Sequence, residues 1–240
     1  MESSVMTNAN VEIKRFESAH ALAARVAGDI ALQLARAIAV RGRASLLVSG
    51  GHSPIVLFEQ LRTQVFDWSR VSIALVDERW VETSEAGSNE RMVREALVRD
   101  KAMAARFIGL KNPAATPELG ATAAWNALAS IPRPLDLTVL GMGDDGHTAS
   151  LFPGSPNLGR ALDLEAPAGC IGMVSPSAPQ ARLTLNLRAL LESRRILLFM
   201  LGEAKWRTYA AACGPGPVEE MPVRAVLRQQ HVPVEVVWAP

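Results

Sequence analysis

Short apolar stretches alternate with helical stretches along most of this chain, and that alternation limits the fold more than any other feature. Ala44 to Val48, Val71 to Val76, Leu135 to Leu140, Arg195 to Leu201 and Val234 to Trp238 read as strands. Helices are expected from Pro54 to Gln64, Asn89 to Arg99, Pro117 to Ala129 and Glu203 to Ala212. A long helix from Ser18 to Val40 precedes them. Leu22, Val26, Ile30, Leu34 and Ile38 sweep out one broad face, Arg25, Asp29 and Arg36 share a solvated stripe, and Gly42 is the stop signal. Arg182 to Leu187 alternates with period two and adds a strand. Strands apolar throughout are covered on both faces. The expected fold class is therefore α/β, a mostly parallel sheet with helices on both faces. The Pro- and Gly-rich stretch from Pro153 to Pro179 breaks the alternation and is expected to form a small additional lobe. At 240 residues with no internal repeat, the chain reads as one domain, 1–240.

Charge narrows the choice of partner. Lys plus Arg is 25 and Asp plus Glu is 24, so the net charge is +1. That balance argues against a broad grip on nucleic acid or on an anionic membrane, while a local anion site remains open. The longest strongly apolar run, Ile196 to Leu201, is far shorter than the roughly 20 residues of a membrane span. Met1 to Phe16 holds no apolar stretch of leader type. Two cysteines, Cys170 and Cys213, lack metal-type spacing and suit a reducing cytoplasm. No obligate protein partner is expected.

Four strands end in polar or glycine-rich clusters: Ser49 to Pro54, Asp77 to Arg79, Gly141 to His147, and Gly202 to Lys205. In an open parallel sheet such ends share one edge, the edge where ligands bind. The first cluster reads as an anion cradle. Gly50 and Gly51 permit close backbone approach, Ser53 suits the cap of the next helix, and Pro54 suits its first position. A plain strand-to-helix turn is the alternative. The absence of Gly-Lys-Ser/Thr excludes a nucleoside-triphosphate loop. Gly141-x-Gly143-x-x-Gly146 matches the dinucleotide fingerprint, but Asp144 and Asp145 in its variable positions would repel a pyrophosphate. No nicotinamide cofactor is expected.

Of the four histidines, only His147 follows a strand end with acids before it. Such a histidine suits general acid–base work, with Asp145 to orient the ring. A hydrogen-bonded structural histidine is the alternative, and it is the preferred reading of His20 and His231. Arg79, Arg182 and Lys205 are candidate ligands for an anion. Arg182 could instead mark a sheet edge, and Asp77 and Glu78 could pair with Arg79. Lys205, in the first turn of a helix, opposes the helix dipole, a cost that a bound anion would offset.

Together, Ser49–Pro54, Val76–Val81 with Ser88 and Asn89, Gly141–Gly154, Arg182–Asn186 and Gly202–Lys205 resemble the 6-phosphogluconolactonase family, within the glucosamine/galactosamine-6-phosphate isomerase superfamily. The likeness runs from about residue 10 to the end, and Gly141–Gly154 is its most specific part. It implies a Rossmann-like sheet and hydrolysis of 6-phospho-D-glucono-1,5-lactone in the oxidative pentose phosphate pathway; no cofactor is expected, and no metal, because no His/Cys/Asp cluster has ligand spacing. Related deaminases carry a glutamate five positions after the matching histidine, where this chain has Phe152. On this resemblance His147, Asp145 and Arg79 are the expected catalytic residues. Gly50, Gly51, Ser53, Asp77, Arg182 and Lys205 are expected to bind the phosphosugar. A sugar-phosphate isomerase or deaminase, and a non-catalytic sugar-phosphate sensor, are the competing readings.

Overall fold

The computed structural model describes residues 10–176 and 180–240. Met1 to Ala9, and residues 177–179 at the end of the expected lobe, lie outside the described residues. In chain order come β1 (Val11–Arg15), α1 (Ala19–Arg41), β2 (Ala44–Val48), α2 (Ile55–Leu61), β3 (Val71–Leu75), β4 (Asp77–Arg79) and α3 (Asn89–Ala96). Then follow β5 (Arg106–Ile108), α4 (Pro117–Leu128), β6 (Leu137–Leu140), α5 (Leu158–Leu162), β7 (Cys170–Met173), β8 (Arg182–Leu185) and α6 (Leu187–Leu190). The chain closes with β9 (Ile196–Leu201), α7 (Glu203–Cys213), α8 (Val223–Arg228) and β10 (Val234–Ala239).

Seven strands form one sheet in the order β1-β10-β9-β6-β2-β3-β5, and every pairing in it is parallel. All five residues of β2 are buried, so both faces of the sheet are covered there. α1 packs by the face its sequence periodicity marks. Leu22, Val26, Ile30 and Leu34 are each at most 3% exposed, worth roughly 1.5–3 kcal/mol apiece. Ser18 caps the helix by accepting from the Ala21 N–H at 3.2 Å, and Gly42 ends it at φ +74°. Arg25 and Asp29 pair on the solvated stripe at 3.1 Å.

A second, three-stranded antiparallel sheet has the order β4-β8-β7. It corrects three expectations. Asp77–Arg79, expected as a polar cluster that ends a strand, is itself a strand. Arg182–Leu185 belongs to this sheet, not the parallel one. The expected lobe contributes β7 to it, paired with β8. The strand expected to run to Leu187 ends at Leu185, and Leu187 opens α6. α2 begins at Ile55, with Pro54 in the cap position and no side-chain cap bond, so Ser53 does not cap it. The edge strands β1 and β5, with α8, were not expected from the sequence at all.

Candidate active site

The register fixes which strand ends meet. Val48 is level with Leu75 and with Val139, and Leu140 is level with Leu198. The chain therefore leaves β2, β3, β6 and β9 at one edge, and the four polar clusters gather there. Short bonds knit them together. Gly141 N–H donates to Ser49 Oγ at 3.3 Å, Asn89 Nδ2 donates to the Asp77 carbonyl at 3.0 Å, and Ser150 Oγ donates to Asp77 Oδ2 at 2.6 Å. Gly50 packs directly on Asn89, since a Cβ there would lie 2.0 Å from Asn89 Oδ1. The glycine turn and the His147 loop are thus neighbours.

His147 is half-buried and tightly specified. Its Nδ1 lies 2.5 Å from Asp145 Oδ1, and its backbone N–H donates to the same oxygen at 3.0 Å. Gly143 lies against the ring, because a Cβ there would come 2.1 Å from it. Phe152 packs on the ring as well, with centroids 4.5 Å apart. With Nδ1 engaged by the carboxylate, Nε2 is the nitrogen left for chemistry. Partial burial works to raise the Asp145 pKa, but its hydrogen bonds and charge interaction with His147 outweigh that and hold it below the usual carboxylate value.

Arg79 and Arg182 stand directly opposite each other across β4 and β8, so they share one face of the small sheet. Among the described residues neither forms an ion pair, and the Nε of each is buried without a partner. Arg79 donates through Nη1 to the Gly87 carbonyl at 2.7 Å. The Arg182 guanidinium lies 5.7 Å from the Phe152 ring centre. Burial, then the like charge of Arg79, lower its pKa from the usual arginine value. The expected alternative of an Arg79 ion pair with Asp77 or Glu78 is not what the geometry shows. Glu78 instead accepts from the N–H groups of Arg79, Asn89 and Glu90 and from Ser88 Oγ, at 2.6–3.0 Å, which ties β4 to the start of α3. Burial nonetheless pushes its carboxyl above the usual range.

Lys205 sits in the first turn of α7, and its Nζ lies 2.7 Å from Asp144 Oδ1. Asp144 therefore offsets part of the dipole cost that an anion was expected to relieve. Gly51 adopts φ +96° with open space beside its Cα, and Ser53 makes no side-chain hydrogen bond among the described residues. Sequence reasoning missed the contributions of Asn89, Ser150 and Glu78. Most of their partners lie on other elements, and no local spacing signals those. Among the described residues, no cluster of His, Cys, Asp or Glu could hold a metal ion, and no helix is long and apolar enough to cross a membrane.

Residues 17–238 match the model of a family described as glucosamine-6-phosphate isomerases/6-phosphogluconolactonase. The chain belongs to that family. A 6-phosphogluconolactonase from Shewanella baltica superposes with a TM-score of 0.93 at 46% identity, covering 97% of this chain and 99% of that one. A 6-phosphogluconolactonase from Pseudomonas aeruginosa is 46% identical over 93% of this chain and 91% of its own length. One from Rhizobium meliloti is 44% identical over 97% and 100%.

Proposed function

We propose that this chain hydrolyses 6-phospho-D-glucono-1,5-lactone to 6-phospho-D-gluconate, the second step of the oxidative pentose phosphate pathway, with His147 as general base. The observation that carries the mechanism is the imidazole pinned by Asp145 through Nδ1, with arginines that have no carboxylate partner on the same edge. Relatives that align along nearly the whole chain are named 6-phosphogluconolactonases, which supports the lactone over an amino sugar as substrate.

In this mechanism Gly50, Gly51, Ser53, Arg182 and Lys205 hold the 6-phosphate, so that binding energy from a remote group orients the reacting carbonyl. Asp77, fixed by Ser150, holds sugar hydroxyls. Nε2 of His147 removes a proton from water as its oxygen attacks C1. Asp145 stabilises the imidazolium that forms. Arg79 faces the developing oxyanion. The Gly143 N–H is an unsuitable donor for that role, because it already donates to the His147 carbonyl at 2.8 Å. The ring C1–O bond then breaks, and the imidazolium returns its proton to the leaving ring oxygen. A lactone is an activated ester, so no covalent nucleophile is required. The free thiols of Cys170 and Cys213 agree with a cytoplasmic setting.

The test is lactone hydrolysis by the parent and by His147→Ala, with the spontaneous rate subtracted. The substitution lowers turnover by roughly 10²–10⁴-fold. Near-parent turnover removes His147 from the reaction. Ammonia release from glucosamine 6-phosphate would overturn the lactonase assignment in favour of a deaminase. Tight phosphosugar binding without turnover would support the sensor.

A further inference from the structure

The loop that carries His147 is gripped from α7 and α8, neither of which supplies the proposed base or its carboxylate partner. From α7, Lys205 reaches Asp144 Oδ1 at 2.7 Å, and Thr208 Oγ1 donates to the Asp144 carbonyl at 3.3 Å. From α8, the Val223 N–H donates to the Gly146 carbonyl at 2.9 Å. Met221, just before α8, presses on Gly146 so closely that a Cβ there would come within 2.8 Å of it. Gly146 also sits at φ +78°, a conformation that excludes most other residues. Asp144 and Gly146 flank Asp145, the carboxylate that orients the imidazole. Whatever fixes α7 relative to α8 therefore fixes both sides of that carboxylate.

Arg224 does so. It is 5% exposed. Its guanidinium donates to the carbonyls of Ala211 at 3.2 Å and Ala212 at 3.3 Å, near the end of α7. It also donates to those of Pro215 and Pro217, each at 2.9 Å, in the connection to α8. Its one ion-pair partner among the described residues is the exposed Glu220, at 3.5 Å. A buried guanidinium is tolerated when its donors are satisfied, and its five donors on three nitrogens reach four carbonyls here, one more than the three donors of an ammonium can serve. The connection is shaped around it. Gly216 stands at φ +124°, and a Cβ there would lie 2.5 Å from Arg224 Nη1. One construction thus accounts for both glycines, one at the arginine and one at the site.

We infer that Arg224 is a positioning residue for His147: it ties the end of α7 to α8, and the two helices together hold the segment from Asp144 to Gly146 in register with the imidazole. The inference rests on the reading of His147 as the base.

The experiment measures kcat, KM and Tm for Arg224→Lys, Met221→Ala and His147→Ala beside the parent. Met221→Ala leaves every bond of Arg224 in place and keeps Cβ, but removes the Cγ and Cε that also crowd Gly146, so it tests the hold on the loop from the α8 side even if Arg224→Lys fails to fold. Arg224→Lys and Met221→Ala are expected to lower kcat about tenfold or more, as small misplacements of a reacting group do. KM should stay within about twofold in Met221→Ala, which leaves the phosphate groups in place, and should change less than kcat in Arg224→Lys, whose effect on α7 also reaches Lys205. A purely structural arginine would lower Tm and leave kcat per folded molecule where it was. Unchanged kcat in Met221→Ala, or in folded Arg224→Lys, overturns the inference while an inactive His147→Ala keeps the base assignment. Turnover retained in His147→Ala overturns the base assignment and the inference with it.

Discussion

The two edges of the seven-stranded sheet treat charge in opposite ways. Where the strands begin, charges neutralise one another. Asp136, just before β6, pairs with Arg41 at the end of α1 and with Arg194 before β9, and it also accepts from the Ser45 N–H at 2.9 Å. Arg195 pairs with Glu235 of β10. Beyond the strand ends, Lys205 pairs with Asp144, but in the small sheet Arg79 and Arg182 confront each other across β4 and β8 with no carboxylate bonded to either among the described residues. Like charges directly opposed in a sheet destabilise it. The first edge is built for stability. The second keeps an unfavourable arrangement of the kind that a bound anion relieves.

That contrast can be broken from either side. The largest effect is expected at the strand ends, where His147→Ala removes the proposed base and lowers turnover while Tm stays near the parent value. An equal fall in Tm would show the loop to be structural instead. Next comes Arg182→Leu. It should lower kcat/KM about 10–100-fold, the scale of lost hydrogen bonds to a charged group, and leave Tm unchanged or raised because the opposed positive charge is gone. A clear drop in Tm with normal kinetics would erase the distinction between the edges. The mirror experiment is Asp136→Asn. It should cost about 1–3 kcal/mol of stability by leaving buried donors short of an acceptor, with kcat and KM unchanged, as chemical denaturation and steady-state assays would show together. Lys205→Ala should mainly raise KM, and an unchanged KM would remove Lys205 from the phosphate site.

The smallest effect concerns pH. The folded-state pKa of Asp145 is depressed. Its contribution to stability is therefore fully present above the ordinary aspartate range, near about pH 4, and is lost as pH falls through the lowered value. Because Asp145 is exposed, the contribution is small. Asp145→Asn should slightly flatten the acid limb of a Tm-versus-pH curve. An unaltered limb would mean that the carboxylate acts on the imidazole without stabilising the fold.

Much of the molecule is written locally. The central strands β2, β3, β6 and β9 and the long helices announce themselves because burial on both sides, or on one stripe, imposes an apolar period that neighbouring residues alone display. Edge strands escape this. β1 reads Val-Glu-Ile-Lys-Arg, half of it facing water, and β5 is three residues long. Ser53 has the composition of a cap, yet the backbone starts α2 later and leaves its hydroxyl uncommitted.

The sequence by itself determined the α/β class, the order of the central elements and the residues at their ends, because periodicity and the parallel-sheet rule act over short spans. Only the tertiary structure decided that Asp77–Arg79 and Arg182–Leu185 form a separate sheet, that Arg79 faces Arg182, and that Arg224 braces the loop of His147. Those relations join residues with no periodic link in the chain. Strand pairing, burial of charge and close packing select them only once the whole fold has closed.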